Sequence, residues 1–408
     1  LRIVYLHQYF NTPNMAGGTR SYEMSTRWAA QGHDVHVVTS TRTSKTSQSR
    51  WTTTEVDGVT IHWRGVPYSN GMNGLARLWA FLTFALVSGP RVRSLNGDAI
   101  FATSTPLTVI LPALFAKFRR KTPIVFEVRD LWPELPIAVG ALRNPIARWL
   151  ARWLELVAYR RSARIVALSE DMADGVAKRG IARDRIVVAP NACDIVRFSV
   201  PADEGRLYRD QSDWLRGRDL VVYCGALGKI NGVEYLVRLA AEMSKGGFDP
   251  AFAIYGSGRE ESSLRHLAQE LGVLDQNLYM MGKVAKAEVP RILSAATVCT
   301  SLFLPIREMQ ANSANKFFDA LAAHRPIAIN YRGWQADLIQ SEGIGLLLDP
   351  GDVSQAATTL ADFLSLSSID QQQVGEAAGR VGRERFDRDM ISMRVLNAIT
   401  ESAGRQSH

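Results

Sequence analysis

Three corners in the second half of this 408-residue sequence set glycine or asparagine beside a cation. In "YCGALGKINGVEYL" (223–236) an apolar strand pattern passes through Gly225 and Gly228 into a helical pattern, with Lys229 at the turn. "FAIYGSGREESSLRHLAQEL" (252–271) repeats the strand–glycine–helix corner with Gly256 and Gly258. In "MQANSANKFFDALAAHRPIAI" (309–329), Asn315 and Lys316 precede a helical run, and Asp319 follows three positions after Lys316 on the same helix face. Open parallel sheets bind ligands at the carboxyl ends of their strands. A helix start there offers unpaired N–H groups and partial positive charge, which suit a phosphate. The expected chemistry is recognition of a diphosphate, with Lys229 and Lys316 on phosphates, Asp319 on ribose hydroxyls, and glycines admitting the ligand to the backbone. Taken singly, each corner reads equally as a tight turn or a local ion pair. None is a Walker loop or a GxGxxG turn.

The first half offers a second group. "NMAGGTRSYEMS" (14–25) places Gly17, Gly18 and Arg20 between the first strand and the first helix, and His7 ends that strand. "FEVRDLWPELP" (126–136) clusters Glu127, Arg129, Asp130 and Glu134 after an apolar strand, where substrate-binding loops tend to lie. Asp387 and Asp389 have DxD spacing but sit in a helical run rather than after a strand. No metal site is therefore expected.

These corners need elements to hold them. Short β-branched runs alternate with helical patterns: 2–10, 34–40, 98–103, 123–128, 164–169 and 185–190, then 220–228, 252–258, 277–282, 296–303, 325–330 and 345–350. A polar stretch, 198–219, separates the two series. The pattern predicts an α/β protein with two Rossmann-like domains facing across a cleft, 1–198 and 199–382. A last helix, 383–408, is expected to pack back on the first domain.

With 46% apolar and 22% charged residues, the chain is neither disordered nor fibrous. The net charge of +8 is uneven: residues 1–200 carry +12 and the remainder −4. A basic first half implies an anionic partner, either a membrane leaflet or nucleic acid, or else a solvated basic surface. No base-stacking module favours nucleic acid. "RNPIARWLARWLELVAYRRSAR" (143–164) sets arginines beside Trp149 and Trp153, as an interface-lying helix does, and "RLWAFLTFALVSGPRVR" (77–93) is too short in its apolar core to span a bilayer. Cys193, Cys224 and Cys299 form no cluster, which fits a reducing, cytoplasmic compartment. The opening "LRIVYLHQYF" reads as a strand rather than a signal peptide.

Taken in order, "GGTR", "VRDLWPE", "VVAPNACDIVRF", "YCGALGKINGVEYL", "IYGSG" and "NKFFDALAAHRPIAI" resemble the retaining glycosyltransferases of family 4, which have the GT-B fold. The resemblance is closest to the bacterial subset that builds O-antigen and capsule repeat units, such as N-acetyl-L-fucosamine transferases. It implies transfer of a sugar from a nucleotide-sugar donor, expected to be a UDP-sugar, bound mainly by the second domain. Lys229 matches the family's diphosphate lysine. Asp319 falls on the second glutamate of a paired-glutamate motif that holds the ribose. The first glutamate falls at Ala311, which leaves Glu308 as a candidate substitute. Asn315 and Lys316 match an Asn–Lys pair that meets phosphates, the backbone near Val284 meets the base, and His324 stands where a glycine is customary. Asp130 and Arg129, with Glu134, His7 and Arg20, are expected on the acceptor side. The implied acceptor is a polyprenyl-diphosphate-linked glycan at the inner face of the cell membrane, and no metal or other cofactor is implied. A nucleotide-sugar 2-epimerase of the same fold, or a non-catalytic nucleotide-binding protein at the membrane surface, would carry the same residues.

Overall fold

The computed structural model describes residues 1–404 apart from 16, 42–49, 69–71, 73 and 202. The chain divides into two units. One is Leu1–Pro190 together with the segment from Asp389 onward; the other is Asn191–Arg388.

The first unit runs β1 (Arg2–Leu6), α1 (Arg20–Ala30), β2 (Asp34–Thr41), β3 (Thr52–Val56), β4 (Val59–Gly65), α2 (Gly74–Ser94), β5 (Ala99–Thr103), α3 (Ile110–Lys117), β6 (Ile124–Val128), α4 (Glu134–Ala138), α5 (Pro145–Arg161), β7 (Arg164–Ala167), α6 (Glu170–Ala177) and β8 (Ile186–Val188). Among the described residues its sheet has the order β3-β4-β2-β1-β5-β6-β7-β8, parallel except for β3 against β4. β5 and β6 are buried along their whole length, as expected of strands covered on both faces. Crossovers between parallel strands are right-handed. The chain steps one way from β1 to β2 and the other way from β4 through β8, so α1 lies on one face and α2, α3, α5 and α6 on the other.

The second unit runs α7 (Ile195–Phe198), α8 (Glu204–Asp210), β9 (Leu220–Cys224), α9 (Glu234–Lys245), β10 (Ala251–Tyr255), α10 (Glu261–Glu270), β11 (Leu278–Gly282), α11 (Val289–Ala295), β12 (Val298–Ser301), α12 (Asn315–Ala322), β13 (Ile327–Ile329), α13 (Trp334–Glu342), β14 (Gly345–Leu347), α14 (Val353–Leu364) and α15 (Ser368–Phe386). Its sheet, β11-β10-β9-β12-β13-β14, is parallel throughout. The chain ends in α16 (Arg388–Gly404), which packs on α1 of the first unit: the buried Trp28 donates from Nε1 to the Ser392 carbonyl at 3.2 Å.

Three features differ from the sequence reading. β3 and β4 form a hairpin that it lacks; the turn is Asp57–Gly58, with φ of 49° and 77°, the mirror-image geometry that joins paired strands. The expected single helix from 383 onward is interrupted at Asp387, whose extended backbone (φ −55°, ψ 137°) pairs with Cys193. The first unit ends at Pro190, ahead of the polar stretch from which a boundary at 198 was read.

The glycine corners of the second unit interlock. The Gly225 amide donates to the Tyr255 carbonyl at 2.9 Å, Leu227 to Ser257 at 3.0 Å, and Gly256 to Gly282 at 2.7 Å. A Cβ on Gly256 would stand 1.8 Å from the Gly225 oxygen, and one on Gly258 2.2 Å from the Leu227 oxygen. Gly256 and Gly258 are therefore required by the approach of the neighbouring backbone. At Gly228 an added Cβ meets only the Asn231 side chain, at 3.5 Å. Gly258→Ala is expected to destabilise the protein by about 1–3 kcal/mol in urea unfolding, as overpacking does. Gly228→Ala should stay within about 0.5 kcal/mol of wild type.

Candidate functional site

In an open parallel sheet the ligand crevice lies where the strand order reverses. In the second unit that point falls between β9 and β12, which the chain reaches by stepping first outward to β10 and then back. Lys316, in the first turn of α12, extends over this point. Its Nζ lies 5.3 Å from the Tyr223 ring centre and 5.2 Å from that of Phe303, and it donates to Asn231 Oδ1 at 3.2 Å. A Cβ on Gly225 would stand 2.4 Å from the Lys316 Cε, so this glycine makes room for the lysine stem. Asn231 ends the 3-10 turn that Lys229 begins, and Lys229 is exposed. Both lysines thus belong to one corner. The opening N–H groups of this turn and of α12 have no partner inside their own helices.

Burial holds the Lys316 pKa down to about 8, against the opposing pull of Asp319 and Cys224. Burial pushes Asp319 up to about 6; Arg388, Arg197 and Lys316 restrain the rise, and Asp194 adds to it. Asp319 makes no side-chain hydrogen bond or ion pair among the described residues. Asn315 is exposed at the start of α12, and Val284 follows the edge strand β11. Glu308 is half-buried in the 3-10 turn between β12 and α12, and Ala311 is buried just after it. Among the described residues no group of three or more His, Cys, Asp or Glu side chains is arranged to hold a metal ion. Asp389 is instead paired with Arg27 at 2.5 Å.

In the first unit the strand order reverses between β1 and β5. A buried polar chain crosses it. Arg20 bonds Glu127 at 3.0 Å and the carbonyls of Ala189 and Pro190 at 2.8 and 2.6 Å; the two charged side chains are 6% and 0% exposed. Thr103 donates to Glu127 Oε2 at 3.0 Å and lies 3.2 Å from the Tyr5 hydroxyl, which donates to Ser21 at 3.0 Å; Ser21 meets His7 Nδ1 at 2.8 Å. Arg20 and His7, expected on the acceptor side, are thus engaged inside the unit. Gly17 has φ of 120° and curls over Asn11, whose amide donates to the Gly18 carbonyl at 3.2 Å. Arg129 and Asp130 are half-buried beyond β6 and tied to the loop after β5: the Arg129 amide donates to Ser104 Oγ, and Thr105 donates to Asp130 Oδ2, both at 3.1 Å. Glu134 meets Arg152 at 3.1 and 3.2 Å and Arg179 at 2.9 Å, and the Arg152 hydrogen bond leads in lowering its pKa. It fastens α4 to α5.

Three helices of one face present apolar stripes to solvent. On α2 these are Leu75, Trp79 and Leu86, at 80%, 72% and 76% exposure, with Leu78 exposed beside them. On α3 the exposed residues are Leu111 and Phe115, and on α5 Ile146, Trp149, Leu150 and Trp153. The spacings of three, four and seven put each set on one side of its helix. No helix among the described residues is long and apolar enough to cross a membrane.

Residues 16–192 match the glycosyl transferase 4-like domain family, and residues 218–365 match the glycosyl transferases group 1 family. WcaI of Escherichia coli strain K12, named as a glycosyl transferase of colanic acid biosynthesis, is 24% identical over 286 residues, which are 66% of this chain and 69% of that protein. Of solved structures, HepE of Anabaena in complex with UDP and glucose aligns over 98% of this chain and 99% of its own, with a TM-score of 0.70 at 16% identity. WaaG, a glycosyltransferase involved in lipopolysaccharide biosynthesis, aligns over 98% and 99% with a TM-score of 0.70 at 15% identity. The fold is the two-domain GT-B arrangement of Rossmann-like α/β units.

The lysine corner has a pH signature. A diphosphate beside Lys316 favours its charged form and raises its pKa above the value of about 8 in the free protein. At pH 8 the free lysine is about half neutral, so under the donor-site reading proposed below, binding UDP should take up as much as ~0.5 proton. Calorimetry at pH 8 in two buffers of different ionisation enthalpy measures that uptake. It should vanish in Lys316→Gln.

Proposed function

We propose that this chain, which belongs to the glycosyltransferases that pair a 4-like first domain with a group 1 second domain, moves a sugar from a UDP-sugar to a polyprenyl-diphosphate-linked glycan, with retention at the anomeric carbon and no divalent ion. The observation that carries this reading is the hydrogen bond from Lys316, beside the β9/β12 strand-order reversal of the second unit, to Asn231, the last residue of the turn that Lys229 begins.

The mechanism follows from where charge develops. As the bond between the anomeric carbon and the β-phosphate oxygen breaks, the leaving diphosphate gains negative charge. Lys316, Lys229 and the opening amides of α12 receive it, and each such contact contributes about 10²–10³ in rate. Because its pKa is about 8, Lys316 remains mainly cationic at neutral pH despite burial. Asp319 accepts from the ribose hydroxyls beside Asn315, and the backbone near Val284 faces the base. The acceptor hydroxyl attacks from the face the diphosphate leaves, and its proton passes to the departing phosphate oxygen. Asp130 and Arg129, steadied by Thr105 and Ser104, orient that hydroxyl.

The stripes on α2, α3 and α5 support a lipid-linked acceptor. Exposed Trp and Leu flanked by Arg91, Arg93, Arg160 and Arg161 are the composition of helices that lie in the interface of an anionic leaflet. The chain would then work from the inner face of the cell membrane.

With a lipid-linked acceptor, Lys229→Ala should reduce sugar transfer by about 10²–10³ with the melting temperature unchanged, and wild-type transfer should persist in EDTA. Full activity of the variant, or conversion of the donor without acceptor as a 2-epimerase performs, would contradict the reading. A Trp79→Ser/Trp149→Ser/Trp153→Ser variant should lose sedimentation with phosphatidylglycerol vesicles while binding UDP like wild type.

A further inference from the structure

The second unit holds a cavity of about 770 Å³ that is separate from the lysine corner. Thr297, just before β12, and Arg325 and Pro326, just before β13, line it. The sheet is parallel, so this is its amino end, opposite the end where Lys316 and Lys229 lie.

The charges that face the cavity are unbalanced. Arg206, Arg209, Arg325 and Arg383 line it against Asp210 and Glu376. Arg209 donates to the Ala295 and Arg218 carbonyls at 2.8 and 2.6 Å, and Arg325 donates to the Ser294 carbonyl. These bonds go to neutral oxygens. The Nε of Arg325 is buried without any partner. Arg209 and Arg325 both have lowered pKa values through burial, and the charge of Arg209 bears further on Arg325.

The histidine in the cavity wall is accommodated by its neighbours. His324 has φ of 54°, the left-handed conformation that ends a helix. A Cβ on Gly379 of α15 would stand 2.5 Å from its ring, and one on Gly375 2.5 Å from its carbonyl oxygen. Gly379 thus admits the imidazole, and Gly375, one turn earlier, admits the histidine's backbone. Arg383 donates to Nε2 at 2.6 Å, which leaves the proton on Nδ1, facing Glu376 at 3.5 Å. Glu376 is in this way directed at the histidine as well as at the cavity.

We propose that this cavity is a second ligand site, for a phosphate monoester of hexose size. The guanidinium groups of Arg209 and Arg325 in the wall and of Arg206 and Arg383 at the rim take the phosphate, and arginine is the side chain suited to that planar contact. The volume falls in the range of small-molecule sites and exceeds what inorganic phosphate fills. Among the described lining residues the only Phe, Tyr or Trp is Phe198, which is 7% exposed, and the His324 ring is held at both nitrogens by Arg383 and Glu376, so no large open ring offers stacking to a nucleobase. Gln372 and Ser368 instead offer hydrogen bonds to hydroxyls. The site does not depend on the donor reading.

Calorimetric titration of the full chain with glucose 6-phosphate, glucose and inorganic phosphate, each with and without saturating UDP, tests this. Glucose 6-phosphate should bind in the presence of UDP, inorganic phosphate should bind at least about tenfold more weakly, and glucose should not bind. Arg325→Gln/Arg383→Gln should weaken glucose 6-phosphate at least about tenfold with UDP affinity unchanged. The exposed-rim variant Arg206→Ser, which leaves the wall bonds intact, should weaken it in the same direction. Displacement of glucose 6-phosphate by UDP, or loss of its binding in Lys229→Ala, would assign it to the donor corner and overturn the proposal. So would absence of binding to protein that binds UDP, equal binding of inorganic phosphate, or wild-type affinity in the arginine variants. Failure of UDP itself to bind would count against the donor reading alone.

Discussion

A cation held partly out of water, with no carboxylate in ion-pair contact among the described residues, is the constraint around which the second unit is arranged. Lys316 has two aromatic faces and one amide oxygen for company. Desolvating an ammonium is unfavourable, and neutral partners offset only part of that. The arrangement persists because the surroundings fix it. Gly225 leaves room for the stem, and the β9 and β10 loops are locked backbone to backbone. Gly232, with φ of 57°, brings the 3-10 turn against the Phe303 backbone, and Leu304 donates to the Ile230 carbonyl at 3.0 Å. An unneutralised charge at a strand end is a reason for an anion to bind there.

The first unit treats its corresponding position the opposite way. Arg20 also begins a helix beside a strand-order reversal, yet Glu127 neutralises it and two carbonyls accept from its terminal nitrogens. Removing one partner of such a buried pair costs about 3–5 kcal/mol, because the other is left charged and dry. The pair ties α1 to β6 and to the end of β8, and through Thr103 and Tyr5 to β5 and β1. It positions the loops that carry Arg129 and Asp130. Reading Arg20 and His7 as ligand contacts took exposure at a strand end for granted; sequence adjacency to a crevice does not reveal which side chains turn inward.

Buried strands were legible because apolar β-branched runs bounded by glycine and charge have few other uses. β1, β2, β5 to β8 and β9 to β14 all fall on the runs marked in the sequence, β2 and β10 each extending one residue beyond theirs. The β3–β4 hairpin was passed over because "TTTEV" is polar, as the exposed β3 confirms, although Asp57–Gly58 between β-branched runs was an available signal. The glycines were found but only partly understood. Ligand approach and backbone approach leave the same mark in a sequence, and coordinates separate them: Gly256 and Gly258 face neighbouring carbonyls, whereas Gly225 faces the lysine itself. The break at Asp387 was not legible, since its cause is pairing with Cys193, nearly two hundred residues away.

The outward stripes show the same limit for surfaces. On α5 the alternation of arginine with Trp149 and Trp153 already marks an amphipathic helix, so its exposed face could be named from spacing. α2 is apolar on nearly every side, and periodicity cannot say which side meets solvent. Topology decides it. The right-handed crossovers place α2, α3 and α5 on one face; the sheet side of α2 buries Phe84 and Val92, and Gly89 admits the Phe115 ring of α3. What remains outside is Leu75, Leu78, Trp79 and Leu86. Monomeric proteins rarely present a contiguous apolar area of this kind without an occupant. The excess of positive charge in the first 200 residues is the reason the occupant proposed above is an anionic leaflet: an apolar phase with an anionic boundary would meet both demands at once, whereas an apolar protein partner would account for the tryptophans but not for the arginines around them.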